Sequence, residues 1–143
     1  MSKKQVLVLC TGNSCRSHMA EGIINHYRSD AWTAVSAGTQ PSGYVHPMAI
    51  ATLKEWGIDI SHHRSKHADE FRSTPLDLVI TVCDDAAQNC PVWLGQGKKV
   101  HIGFPDPAKA EGNDEEKMAF FRQVRDGIKE RVLAYLDAFD NNP

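Results

Sequence analysis

Val6-Leu7-Val8-Leu9-Cys10-Thr11-Gly12-Asn13-Ser14-Cys15-Arg16-Ser17 passes from a short apolar run, through a small polar turn, into a helical period. Four consecutive branched apolar residues read as a buried strand, which carries the thiol of Cys10 to the edge of a sheet. Gly12 and Asn13 tolerate positive φ, so successive backbone N–H groups of Thr11, Gly12, Asn13, Ser14 and Cys15 can turn inward as an anion nest. A helix beginning near Ser17 aims the positive end of its dipole at the same point. Arg16 adds a planar fork that suits two oxygens of a small tetrahedral oxyanion. Such an electropositive cradle favours the thiolate of Cys10. The alternative is a buried strand-end cysteine with an unrelated surface arginine. The order strand, Gly-Asn turn, helix argues against it.

Working outward, residues 17–27 carry Ala20, Ile23, Ile24 and Tyr27 at helical spacing. Residues 33–37 read as a second strand closed by Gly38, and Pro47 opens a helix that Gly57 stops. Residues 58–66 look irregular, with a short helix expected around 67–71. Residues 77–82 form the clearest buried strand and end directly at Cys83; residues 99–102 form a fourth. From Asp114 a long helix sets Met118, Phe121, Ile128, Val132, Leu136 and Phe139 near one stripe, which is core packing. Strands alternating with helices predict an α/β, flavodoxin-like fold: a four-stranded parallel sheet, order 2-1-3-4, with helices on both faces. Residues 1–143 are expected to form one domain. In that order strands one and three are neighbours at the topological switch point, about 4.8 Å apart. Cys10 and Cys83 then end adjacent strands and can come within disulfide reach. Asp106, beyond strand four, can reach the same rim.

The net charge of −2 creates no field that would recruit nucleic acid or an anionic membrane. No stretch reads as a signal peptide or a membrane span, so a cytoplasmic location is expected. There, four cysteines are expected to be catalytic, redox-active or metal-binding rather than a disulfide framework. Their positions, 10, 15, 83 and 90, lack Cys-x-x-Cys spacing and the seven histidines supply no zinc-type partner pattern, so a structural zinc site is not expected. Cys15 reads as a packed thiol of the loop. His62, His63 and His67 read as solvated loop residues and receive no role. No apolar surface pattern is left over, so a monomer is expected.

The anion loop, Ile80-Thr81-Val82-Cys83, Cys90-Pro91, Phe104-Pro105-Asp106-Pro107-Ala108, Ser36-Ala37-Gly38 and Gly57-Ile58-Asp59-Ile60-Ser61 together resemble thioredoxin-coupled arsenate reductases. These share the fold and phosphate loop of low-molecular-weight protein tyrosine phosphatases. The resemblance implies a scheme. Cys10 attacks arsenate held by the loop amides and Arg16, for which phosphate or sulfate would be mimics. Ser17 donates to the Cys10 sulfur, Asn13 shapes the loop, and Asp106 protonates the departing oxygen. Cys83 attacks Cys10 and expels arsenite; Cys90 attacks Cys83, and thioredoxin reduces the resulting disulfide. No bound cofactor is implied. Some reductases of this type hold a monovalent cation with an acidic residue and the equivalents of Asn13, Glu21 and Ser36. This chain carries Lys66 at the acidic position, so its ammonium group is expected there instead.

The last exchange sets a physical demand. Seven residues of α-helix between Cys83 and Cys90 would span about 10.5 Å, whereas a disulfide needs Cα atoms within about 7 Å. Residues 84–97 are therefore expected to change shape between redox states. Two other readings stay open: a low-molecular-weight phosphatase working through a Cys10 phosphocysteine, and a redox sensor using Cys83 and Cys90. After Asp106-Pro107 come Ala108, Lys109 and Ala110, which offer no aromatic wall for a phosphotyrosine ring.

Overall fold

The computed structural model describes residues 3–82 and 95–141. Cys83, Cys90 and most of the 84–97 segment expected to change shape lie outside the described residues. Four strands, β1 (Lys4–Leu9), β2 (Trp32–Ala37), β3 (Leu78–Thr81) and β4 (Lys98–His101), pair in parallel in the order β2-β1-β3-β4. This is the 2-1-3-4 sheet expected from the sequence. The helices are α1 (Arg16–Tyr27), α2 (Pro47–Lys54) and α3 (Asp114–Asn141). Two 3-10 turns, Ala68–Phe71 and Pro107–Lys109, complete the described elements.

Strand side chains alternate between two layers, as a period of two requires. Val6, Val8, Leu78 and Ile80 pack with Met19 and Ile23 of α1, Leu53 of α2 and Phe121, Ile128 and Val132 of α3. Leu7, Leu9 and Val79 face the other way, toward Ala68, Leu76 and Phe71. Among the described residues the three α-helices thus share one face, and the Ala68–Phe71 turn covers the other.

The element ends explain themselves locally. Pro47 begins α2, where a missing N–H costs nothing, and His46 accepts a hydrogen bond from the Met48 N–H at 3.1 Å. Gly57 follows with φ of +77°, a left-handed stop. Strand β1 ends at Leu9, one residue before the expected Cys10, and α1 begins at Arg16, one before the expected Ser17. Cys10 and Arg16 therefore bracket the loop, one at each mouth. The Pro107–Lys109 turn has no apolar periodicity, so pattern reading passes over it; Asp106 caps it by accepting from the Ala108 N–H at 3.0 Å.

Candidate active site

The loop from Cys10 to Cys15 is shaped from outside. The Gln40, Ser42 and His46 N–H groups donate to the carbonyls of Thr11, Gly12 and Ser14 at 2.9, 2.9 and 2.8 Å. The Ser65 hydroxyl donates to the Gly12 carbonyl as well. In a planar trans peptide the carbonyl of one residue and the N–H of the next point opposite ways. Drawing these three carbonyls outward therefore turns the N–H groups of Gly12, Asn13 and Cys15 inward. The N-terminus of α1 follows at once, with no side-chain cap at Cys15, and its dipole favours an anion there.

One expectation about the loop is corrected. Positive φ falls on Asn13 alone, at 45°, and not on Gly12. The reason lies in the Asn13 side chain, which is fully buried. Its amide nitrogen donates to the Ser17 and Ser36 hydroxyls at 2.8 and 3.1 Å. Its oxygen accepts from the Lys66 backbone N–H at 2.9 Å and from His18 Nε2 at 3.1 Å. Four hydrogen bonds saturate the side chain and hold the backbone in the left-handed region. Gly12 keeps an ordinary φ, and a Cβ there would meet only Ser14 Oγ at 3.8 Å. The glycine the loop requires is Gly38, where a Cβ would stand 2.5 Å from the Cys10 carbonyl oxygen.

Cys10 is buried, 4% exposed, directly after β1, and its N–H donates to the Ala37 carbonyl. Arg16, also buried, donates from Nη1 to the Phe104 carbonyl at 3.0 Å, and its Nη2 lies 3.7 Å from Asp106 Oδ2. Asp106 thus faces the loop while capping its own turn. Cys15 lies beside Asp106: its thiol is 3.7 Å from Asp106 Oδ1, and burial together with the Asp106 charge pushes its pKa up to about 11. A thiol held protonated in this way suits a packing role. Ser17 is fully buried and accepts from Asn13. The structure brings Cys10, Thr11, Gly12, Asn13, Ser14 and Cys15 of the loop together with Arg16 and Ser17 of the first turn of α1, with Asp106 at the rim. Val82 donates its N–H to the Leu9 carbonyl at 2.9 Å, so the chain leaves β3 alongside the strand that leads into Cys10.

Behind the loop lies the cluster of Asn13, Glu21, Ser36 and Lys66 that the resemblance implied, joined by two histidines, His18 and His63, that sequence reasoning missed. His18 is fully buried, and its Nδ1 lies 3.1 Å from His63 Nδ1. His63 is therefore no solvated loop residue: its side chain is only 9% exposed, whereas that of His67 is 45% exposed. Burial is the main cause that lowers the pKa of His18 to about 3 and of His63 to about 4. Glu21 accepts from the Ser36 hydroxyl at 2.6 Å; burial raises its pKa against the opposing pull of Ser36 and Lys66. The Lys66 ammonium stands 4.0 Å from Glu21 and donates to the Arg64 carbonyl at 3.2 Å. The signal for His18 was its i, i+3 spacing to Glu21 on α1. His63 carries no such signal, because only the tertiary fold brings the 60–66 loop to that helix.

A parallel 2-1-3-4 sheet, an anion loop between its first strand and first helix, and a thiol and a guanidinium at the two ends of that loop define an oxyanion-handling cysteine protein. The chain belongs to the low molecular weight phosphotyrosine protein phosphatase family, whose model matches residues 5–142. It is 49% identical to an arsenate reductase of Halalkalibacterium halodurans over 137 residues, covering 96% of this chain and 98% of that one. It is 46% identical to an arsenate reductase of Bacillus subtilis with the same coverage. Among solved structures it resembles an arsenate reductase in the phosphate-binding state: TM-score 0.75, 34% identity, 94% of this chain and 98% of the other covered.

Proposed function

We propose that this chain reduces arsenate to arsenite, with thioredoxin as the external reductant. The observation that carries the reading is near-full-length likeness to arsenate reductases in a sequence with thiols at 10, 83 and 90. Arsenate enters the loop, held by inward N–H groups and the Arg16 fork. The Cys10 thiolate, to whose sulfur the Ser17 hydroxyl donates, attacks arsenic. Asp106 donates a proton to the departing oxygen, which leaves as water. Cys83 then attacks the Cys10 sulfur. The sulfur–arsenic electron pair stays on arsenic, which leaves as arsenite, and two thiols become one disulfide, so two electrons balance. Cys90 attacks Cys83 and frees Cys10, and thioredoxin reduces the Cys83–Cys90 bridge. The nearness of Asp106 to Arg16, 3.7 Å, supports its role at the same oxyanion.

Arsenate-dependent NADPH consumption with thioredoxin and its reductase, measured beside aryl-phosphate hydrolysis, tests the reading. Wild type turns over arsenate, and Cys83→Ser loses that turnover while retaining any slow hydrolysis. Brisk hydrolysis without arsenate turnover in both proteins would favour phosphomonoester chemistry through a phosphocysteine. The Lys66 ammonium beside Glu21 supports a second expectation, that no monovalent cation is required. Turnover in potassium and in sodium buffers of equal ionic strength should then match within error.

A further inference from the structure

The cluster behind the anion loop holds more donor atoms than the loop architecture uses. The protons of His18 can be assigned. Asn13 Oδ1 accepts the Lys66 backbone N–H, so the amide orientation is settled, and an amide oxygen can only accept. His18 Nε2 therefore carries the proton it gives to Asn13, and its Nδ1 keeps a lone pair. That lone pair faces His63 Nδ1 across 3.1 Å, Ser36 Oγ, whose own proton goes to Glu21, across 3.4 Å, and Glu21 Oε1 across 3.9 Å. His63 Nε2 lies 3.6 Å from Glu21 Oε2. One atom from each of the three side chains falls within 4.8 Å of the others.

We propose that His18, Glu21 and His63 form a binding site for a divalent transition-metal ion of the zinc type. Two ligands at about 2.05 Å from a tetrahedral zinc stand about 3.3 Å apart; His18 and His63 are 3.1 Å apart, and a small rotation of the Glu21 carboxylate would close its 3.9 Å from His18. The ion would take the place of the proton shared between the two Nδ1 atoms. His63 then carries its proton on Nε2. Two imidazoles and one carboxylate suit zinc and its neighbours and do not suit magnesium or calcium, which prefer all-oxygen shells. Three protein ligands leave a fourth position for water. Outer partners are already present: His18 Nε2–H is fixed by Asn13, and Glu21 accepts from Ser36 at 2.6 Å. Lys66 is the competitor for Glu21, at 4.0 Å, and its flexible stem lets the ammonium withdraw. The donor set is distinct from the all-oxygen arrangement a monovalent cation would use.

The test uses the reduced, full-length protein freed of metal by a chelator. Zinc titrated by calorimetry should bind with an equivalent that persists after thiol alkylation. Cobalt(II) in its place should give ligand-field bands without a thiolate charge-transfer band. His63→Ala and Glu21→Gln should each weaken zinc binding by more than the 10- to 100-fold, roughly, that loss of an outer-shell partner causes. Lys66→Ala should tighten it by removing the competing charge. Circular dichroism and phosphate binding report that each variant is folded, and a misfolded one leaves the other two to decide. No zinc equivalent after alkylation, a thiolate band in the cobalt spectrum, or unchanged affinity in folded His63→Ala and Glu21→Gln would overturn the proposal.

Discussion

Gly38 bears on the loop through what it lacks. A Cβ at this position would approach the carbonyl oxygens of Thr11 and Cys10 and would stand 3.0 Å from the Asn13 nitrogen. All of these are backbone atoms, which cannot turn aside as the end of a side chain can. Gly38→Ala should therefore cost about 1–3 kcal/mol by overpacking. It should also displace the loop carbonyls and so misdirect the inward N–H groups. A lowered melting temperature with phosphate affinity reduced at least in proportion is the expected pair of results. Gly12→Ala, whose Cβ finds only Ser14 Oγ at 3.8 Å, should melt much closer to wild type. Equal melting temperatures for Gly38→Ala and wild type would refute the steric account. At this scale Cys10 and Arg16 were legible because strand, turn and helix follow one another in a single stretch. The left-handed residue was misassigned in part, since glycine permits positive φ without demanding it. Asn13 takes it under hydrogen bonds from Lys66 and His18, and the Lys66 bond joins residues 53 apart in sequence.

Between elements, polar contacts add to what the apolar stripe of α3 supplies. Arg125 is buried on that helix and donates from Nη1 to the Thr52 carbonyl at 3.0 Å and to Glu55 at 2.7 Å. Its guanidinium lies 4.0 Å from the Trp56 ring centroid. Arg122 adds hydrogen bonds to Glu55 from the same helix. These bonds hold the Glu55 pKa at about 2, below its ordinary 4.5. The sign follows: a carboxylate with a depressed folded-state pKa stabilises the fold above 4.5, and that stability is lost as pH falls through about 2. Glu55→Gln should lower the urea midpoint at neutral pH, and the gap from wild type should close progressively in acid. A gap independent of pH would show that charge pairing is not its source. The stripe and the strands were legible from period, and the sheet order from the alternation of strands with helices. Arg125 was not, because a charged residue on an amphipathic helix reads as solvent-facing until a partner on another helix is known. The Pro107–Lys109 turn escaped for a related reason: three residues are too few to carry a period.

Across the whole molecule, parallel pairing of β1 and β3 decides which distant residues can meet. Leu9 is in register with Thr81, and Val82 donates to the Leu9 carbonyl. The chain thus brings Val82, the residue before Cys83, beside the strand that precedes Cys10, although more than seventy positions separate Val82 from Leu9 in sequence. A local motif cannot encode such a meeting; only strand order can, which is why the topology had to be inferred before any relay could be. If the relay runs in the proposed order, Cys90→Ser interrupts it after the first exchange. Cys83 can still release arsenite from Cys10, but nothing resolves the disulfide it forms. The expected result is one equivalent of arsenite per chain, then arrest, with a Cys10–Cys83 bridge found by peptide mapping under non-reducing conditions. Cys83→Ser should form no such bridge and should release no burst of arsenite by this route. Sustained turnover of Cys90→Ser with thioredoxin would mean that Cys10–Cys83 is reduced directly. The third thiol would then have no place in the electron path.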